Sequence, residues 1–153
     1  MEADESEAVR RLLKYDEDSA GGIMTTNVLT ITPDRPVSEA LTVYQTQEDA
    51  PDFAYYFFVL DEAGALAGVL SMRQVLVAAD GALVRDVMTR ELVTVAPDDE
   101  PQEVAEKIAE YNLLAIPVVD EHGRFEGAIT VDDVLDVLLK GSWRRGRSRA
   151  FGG

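Results

Sequence analysis

Short apolar runs of strand length alternate along this chain with stretches whose apolar residues recur at helical spacing, and the alternation occurs twice. Residues 28–31 and 92–95 are β-rich runs, each meeting a Pro-Asp turn at Pro33-Asp34 or Pro97-Asp98. An amphipathic helix follows each turn. In the second, Val104, Ala105, Ile108 and Ala109 form one face while Glu103, Glu106, Lys107 and Glu110 lie elsewhere. Two strands around a tight turn come next: 55–60 and 65–70 about Asp61-Glu62-Ala63-Gly64, then 116–119 and 124–129 about Asp120-Glu121-His122-Gly123. A glycine closing a four-residue turn is a hairpin signal. A last helix starts after Ser71 or Thr130 and carries Val75 and Leu76, or Val134, Leu135 and Leu138. The order β-α-β-β-α, given twice, predicts a mixed α/β (α+β) fold.

The two copies are related in sequence as well as in pattern. Met24-Thr25 matches Met88-Thr89 at a spacing of 64, which also pairs Thr30 with Thr94, Pro33 with Pro97, Asp34 with Asp98 and Glu39 with Glu103. Farther on the spacing is 59, pairing Val59 with Val118, Gly64 with Gly123, Gly68 with Gly127 and Val75-Leu76 with Val134-Leu135. The first copy therefore holds five extra residues, placed by the pattern in the 47–53 stretch. A unit of about 60 residues buries too little apolar surface to be secure alone. The two sheets are expected to pack together with pseudo-two-fold symmetry, leaving a cleft between them. The expected organisation is an N-terminal helix and linker (1–20, the helix at 6–14), motif 1 (21–80), motif 2 (81–140) and a basic flexible tail (141–153).

Charge adds a second asymmetry. The 153 residues carry 29 acids against 14 bases, a formal net charge of −15. Lys140, Arg144, Arg145, Arg147 and Arg149 stand in the last 14 residues with no acid among them, so the part upstream is near −20. That sign excludes general nucleic-acid binding by the body. There is no cysteine, hence no disulfide framework or thiolate chemistry, and a reducing cytosol is compatible. No apolar run of about 18 residues occurs, and the acidic N-terminus is unlike a signal peptide, so a soluble cytoplasmic chain is expected. His122, the one histidine, falls in a polar turn, which excludes a histidine metal cluster and makes a Ser-His-Asp triad improbable. No catalytic constellation rises above chance, and the chain is read as a non-enzyme.

Gly127-Ala128-Ile129-Thr130-Val131-Asp132-Asp133 holds a strand glycine, a hydroxyl residue and an Asp three residues later at the start of the last helix. With the repeat, this resembles the CBS domain, whose tandem pairs bind adenine nucleotides in many proteins. The first copy departs from it, with Gln74 where the Asp is expected. The string 15–25, Tyr-Asp-Glu-Asp-Ser-Ala-Gly-Gly-Ile-Met-Thr, the aromatics Tyr55-Tyr56 and the run 132–138 are similar, more narrowly, to the CBS pair of MgtE-type magnesium transporters. That resemblance implies a cytosolic homodimer attached to further domains, including a membrane domain, and binding Mg²⁺ through acidic surfaces. Where that family continues into an acidic connecting helix, this chain has Lys140-Gly141-Ser142-Trp143-Arg144-Arg145, so ligands from that helix are not carried over.

Thr130 and Asp133 admit two readings. Thr-x-x-Asp is a helix capping box. With the resemblance, it is also a nucleotide site in which the helix N-terminus and Thr130 meet a phosphate and the Asp133 carboxylate accepts from ribose hydroxyls. Adenine would lie against Ile116 and Pro117 and near Val93. Asp132 beside Thr130 offers a triphosphate no counter-charge, which favours AMP or adenosine there over ATP; Arg73, in the first copy, would supply one. The acid clusters Glu48-Asp49-Asp52, Asp98-Asp99-Glu100 and Asp120-Glu121 read as solvated surface or as Mg²⁺ ligands; Glu48, Asp49, Asp98, Asp99 and Glu100 are the metal candidates. The tail reads as a linker, a juxtamembrane basic stretch, or a weak contact to anionic lipid or RNA. Val134, Leu135, Leu138, Val75 and Leu76 are the dimer candidates. The expected function is the regulatory ligand-sensing pair of an MgtE-like transporter; a stand-alone adenine-nucleotide-sensing adaptor is the alternative.

Overall fold

The computed structural model describes residues 19–47 and 55–140. The expected helix at 6–14, most of the inserted stretch with Glu48, Asp49 and Asp52, and the basic tail at 141–153 lie outside these residues. The first half runs α1 (Ala20–Ile23), β1 (Leu29–Ile31), α2 (Val37–Thr46), β2 (Tyr56–Leu60), β3 (Leu66–Ser71) and α3 (Met72–Val77). The second runs α4 (Val84–Val87), α5 (Pro101–Tyr111), β4 (Ala115–Val119), β5 (Phe125–Thr130) and α6 (131–140). The hairpins and longer helices follow the periodicity. The four-residue helices α1 and α4 are too short to show in it.

The two sheets differ in one respect. In the first, β1 pairs parallel to β2, with Leu29 opposite Phe57 and Ile31 opposite Val59, and β2 pairs antiparallel to β3. In the second, β4 and β5 form the antiparallel pair, but the strand expected at 92–95 is reduced to one parallel bridge between Val95 and Val118. Val95 N–H donates to the Pro117 carbonyl at 3.1 Å, and Val119 N–H to the Val95 carbonyl at 3.0 Å. Continuing that ladder toward residue 93 requires an N–H on residue 117, and proline has none. Phe58 occupies the matching position in β2 and can donate. One imino acid therefore shortens the second sheet and leaves 90–94 as unpaired extended chain.

The halves are interlocked by exchange. Thr25 pairs with Ala128 of β5 through two bonds of 2.8 and 3.0 Å, and Thr89 pairs with Val69 of β3 through bonds of 2.9 and 3.0 Å. Each Met-Thr segment thus bonds to the inner strand of the opposite copy. The helix preceding it docks there too. Ala20 and Gly21 donate to the carbonyls of Asp99 and Pro97, just as Val84 and Arg85 donate to those of Arg35 and Pro33. Ala20 and Met24 consequently belong to the core built on Val104, Ile108, Ile116 and Ile129. Val84 and Met88 belong to that of Leu29, Phe57, Val59 and Leu70.

Between these cores lies a third, of Phe58, Leu66 and Ala128, flanked by Tyr56, Leu92 and Phe125; the Phe58 and Phe125 rings stand 5.0 Å apart. The hairpin turns close it from outside. Leu66 N–H donates to the Gly123 carbonyl at 3.1 Å and Phe125 N–H to that of Gly64 at 3.0 Å, a symmetric pair across the pseudo-two-fold axis. Gly64 and Gly123, at φ of +83° and +80°, take the left-handed conformation that lets these turns close.

Exchange also explains the strand glycines. A Cβ on Gly127 would lie 2.8 Å from the Thr25 carbonyl oxygen and 3.0 Å from the Met24 sulfur. One on Gly68 would lie 2.6 Å from the Met88 sulfur and 3.0 Å from the Thr89 carbonyl. Gly127→Ala therefore collides with backbone held by two hydrogen bonds, Gly68→Ala mainly with a flexible thioether. Both substitutions are expected to destabilise by overpacking, by about 1–3 kcal/mol. Thermal melts should show the larger fall for Gly127→Ala.

Candidate functional site

A cleft of about 340 Å³ opens between the two sheets, a volume within the range of small-molecule sites. Its walls are extended segments that each present alternate residues, as the two-residue period of such chain requires. Tyr56 and Phe58 come from β2, Val69 and Ser71 from β3, and Ala115 and Pro117 from β4. The unpaired stretch after α4 contributes Thr89, Glu91 and Val93. Its lining is mixed. Ser71, Arg73, Gln74, Thr89 and Glu91 are polar, and Thr89 stands 3.4 Å from the Gln74 amide; Val93, Leu113, Ala115 and Pro117 are apolar, and Val95, two residues past Val93, bonds to the Pro117 carbonyl. Tyr56 braces the wall, its hydroxyl accepting from Leu114 N–H at 3.2 Å.

Gln74 is committed to structure. Its Oε1 accepts from Ser71 N–H at 2.8 Å while its own N–H donates to the Ser71 hydroxyl at 3.1 Å, closing a capping box on α3. Its Nε2 donates to the Val87 carbonyl at 3.0 Å and approaches the Thr89 hydroxyl at 3.4 Å. The residue in the expected aspartate position thus ties the cap of α3 to the exchanged segment. Arg73 and Glu91 are both exposed, and among the described residues neither makes an internal ion pair or hydrogen bond.

The residues expected to form one nucleotide site are divided by the fold. Val93 and Pro117 line the cleft, but they face the helix terminus of the first copy. Ile116, next to Pro117, points the other way and is fully buried in the second core. Thr130, although paired with Ala115 across β4 and β5, is not among the residues lining that cleft, and Asp133 lines a separate open groove of about 430 Å³ with Thr25, Thr26, Asn27 and Asp136. Thr130 caps α6 by accepting from Asp133 N–H at 3.2 Å, but the Asp133 carboxylate, unlike Gln74, makes no return bond. The packing places Val93, Ala115 and Pro117 of the second copy against Ser71, Arg73 and Gln74 of the first. Thr89 and Glu91 were not legible as site residues, although the alternation Thr89-x-Glu91-x-Val93 is the trace that extended chain leaves.

Of the metal candidates, Asp98, Asp99 and Glu100 are described. Asp98 and Asp99 border an open surface depression with Asp120, Glu121 and Glu126, near Lys107, whose Nζ donates to the Thr94 carbonyl at 2.8 Å. Asp99 is partly used, accepting from Ala96 N–H at 2.9 Å. The N–H groups of Arg124 and His122, at 2.9 and 2.8 Å, hold the Asp120 carboxyl below the usual carboxylate range, the first having the larger effect. Among the described residues no three acidic or histidine side chains converge as a metal site. No helix among them is long and apolar enough to cross a membrane.

Comparison with known proteins completes the picture. The family model for the CBS domain matches residues 20–81 and again 84–140. The chain is 42% identical over 130 residues to the magnesium transporter MgtE of Thermus thermophilus, covering 85% of this chain and 29% of that protein. It is 35% identical over 136 residues to MgtE of Enterococcus faecalis, covering 89% and 30%. It therefore spans about a third of the length of these relatives. Among solved structures, the cytosolic domain of the Mg²⁺ channel MgtE in complex with ATP is similar at a TM-score of 0.81 and 40% identity, covering 86% of this chain and 53% of that one.

The two helix caps are expected to respond differently to truncation. Gln74→Ala removes the reciprocal cap bond and the tie to Val87, at a cost of about 1–2 kcal/mol. Asp133→Ala removes no side-chain hydrogen bond and should cost less than half as much. Chemical denaturation of the two variants measures the difference.

Proposed function

The chain belongs to the CBS domain family, and from that membership we propose that it is the cytosolic, regulatory ligand-sensing pair of a larger MgtE-like magnesium transporter. Motif 1 (21–80) and motif 2 (81–140) together form the sensing unit. An adenine nucleotide occupies the cleft between the sheets, its base against Val93, Ala115 and Pro117 and its phosphates toward Arg73 and the Ser71 hydroxyl. One observation carries the reading: a cleft lined by apolar side chains together with a cation and hydroxyls, in a chain 40% identical to a cytosolic domain solved with ATP. Arg73 gives this cleft the counter-charge that the Thr130 terminus lacks, so ATP and ADP are ligands here as well as AMP and adenosine.

Mg²⁺ acts through the acidic surface. A body near −20 repels itself and a second copy of itself, and a hard divalent cation relieves that repulsion through carboxylates and water. Asp98, Asp99 and Glu100, together with Glu48 and Asp49, are the proposed contributors, each face supplying one or two carboxylates where surfaces meet. Homodimerisation uses exposed apolar side chains of α3 and α6. Leu76 and Leu135, related by the repeat, are 68% and 46% exposed. Val134 belongs to the second core, while Val75 and Leu138 pack against the core of their own half, so these three stabilise the fold. The signal is then differential affinity of nucleotide and Mg²⁺ for two arrangements of subunits, passed to the attached domains.

Isothermal titration of the chain with ATP, ADP and AMP tests the nucleotide part, with saturable binding expected. Absence of heat with all three at millimolar concentration would overturn it. For the cation, the melting temperature is expected to rise more in millimolar MgCl₂ than in NaCl of matched ionic strength. Equal values would overturn the Mg²⁺ part.

A further inference from the structure

Resting on that reading of the cleft, we propose that Glu91 is the residue that reads the ribose of the bound nucleotide. Where an aspartate would accept from the ribose hydroxyls, this chain has Gln74, and both ends of its amide are already bonded to Ser71 N–H and the Val87 carbonyl. Gln74 cannot turn to a ligand without opening the cap of α3. The cleft nevertheless contains a carboxylate with no internal partner, on the opposite wall.

Its position along that wall is specific. Thr89, Glu91 and Val93 are successive inward residues of one extended run. At about 3.3 Å per residue, Glu91 lies roughly 6–7 Å from each of the other two. The run begins at Thr89, 3.4 Å from the amide of Gln74, the neighbour of Arg73, and passes Val93 to Val95, which bonds to the Pro117 carbonyl. A nucleoside phosphate laid along this axis puts its base at Val93 and its phosphates toward Arg73, and the sugar falls at Glu91. A carboxylate accepts from both hydroxyls of a cis-diol, and such charge-assisted bonds are the stronger kind.

The test is the ratio of affinities for ATP and 2′-deoxy-ATP, measured by titration calorimetry on the chain and on Glu91→Ala and Arg73→Ala. The ratio cancels any general effect of the Glu91 charge on the phosphates. The unsubstituted chain is expected to prefer ATP at least tenfold, and Glu91→Ala to bring the ratio to within about twofold of unity. Arg73→Ala should weaken both ligands and keep the preference. Glu91 is exposed, so an unchanged melting temperature is expected for its variant. A preference that survives in Glu91→Ala, or a ratio near one in the unsubstituted chain, overturns the assignment while leaving nucleotide binding intact. If no nucleotide binds the unsubstituted chain, the reading of the cleft fails and this assignment with it.

Discussion

Twice in this molecule a backbone carbonyl packs over a strand glycine of the opposite copy. Thr25 lies over Gly127 and Thr89 over Gly68 so tightly that a single added carbon would stand 2.8 or 3.0 Å from the oxygen. This contact is made only because each Met-Thr segment leaves its own copy and pairs with the opposite inner strand. Neither core is complete without it, since Met24 and Ala20 fill one and Met88 and Val84 the other. Two units too small to be secure alone become one body, and the cleft inherits walls from both.

Once the segments are crossed, the site geometry follows. The run after Met88-Thr89 is carried past β3 and across the mouth of the cleft toward Val95, its only point of pairing with β4. Had residue 117 possessed an N–H, that run could have zipped onto β4 as β1 does onto β2. Thr89, Glu91 and Val93 line the cleft from that run. The same packing brings Arg73 of the first copy to the apolar wall of the second, while Asp133 lines a separate groove. The two halves are thereby joined through shared backbone bonds.

The fold was largely legible because its signals are local: two-residue alternation in the hairpins, glycine at the turns, and a helical face through Val104 and Ile108. The change of spacing from 64 to 59 also located the extra residues. Partner choice was not legible. Nothing in the identity of Met24-Thr25 and Met88-Thr89 says whether each pairs with its own copy or the other, because the repeat makes the two alternatives alike in composition. For that reason the motif alone groups Val93 and Pro117 with Thr130, whereas the fold sets them beside Ser71 and Arg73. Of the two caps, at Ser71 and at Thr130, only that of Ser71 is closed, the Gln74 amide bonding the Ser71 N–H and the Val87 carbonyl together.

Native-state amide hydrogen exchange at Thr25, Val69, Thr89 and Ala128, the four donors of the crossed bridges, tests the interlock most directly. If exchange of the Met-Thr segments holds the halves together, these amides open only with the whole molecule, and their protection should match that of the central β2 amides. Exchange at Thr25 and Thr89 faster by orders of magnitude than in β2, with the sheets still protected, would show that the segments detach from intact halves and would contradict the account.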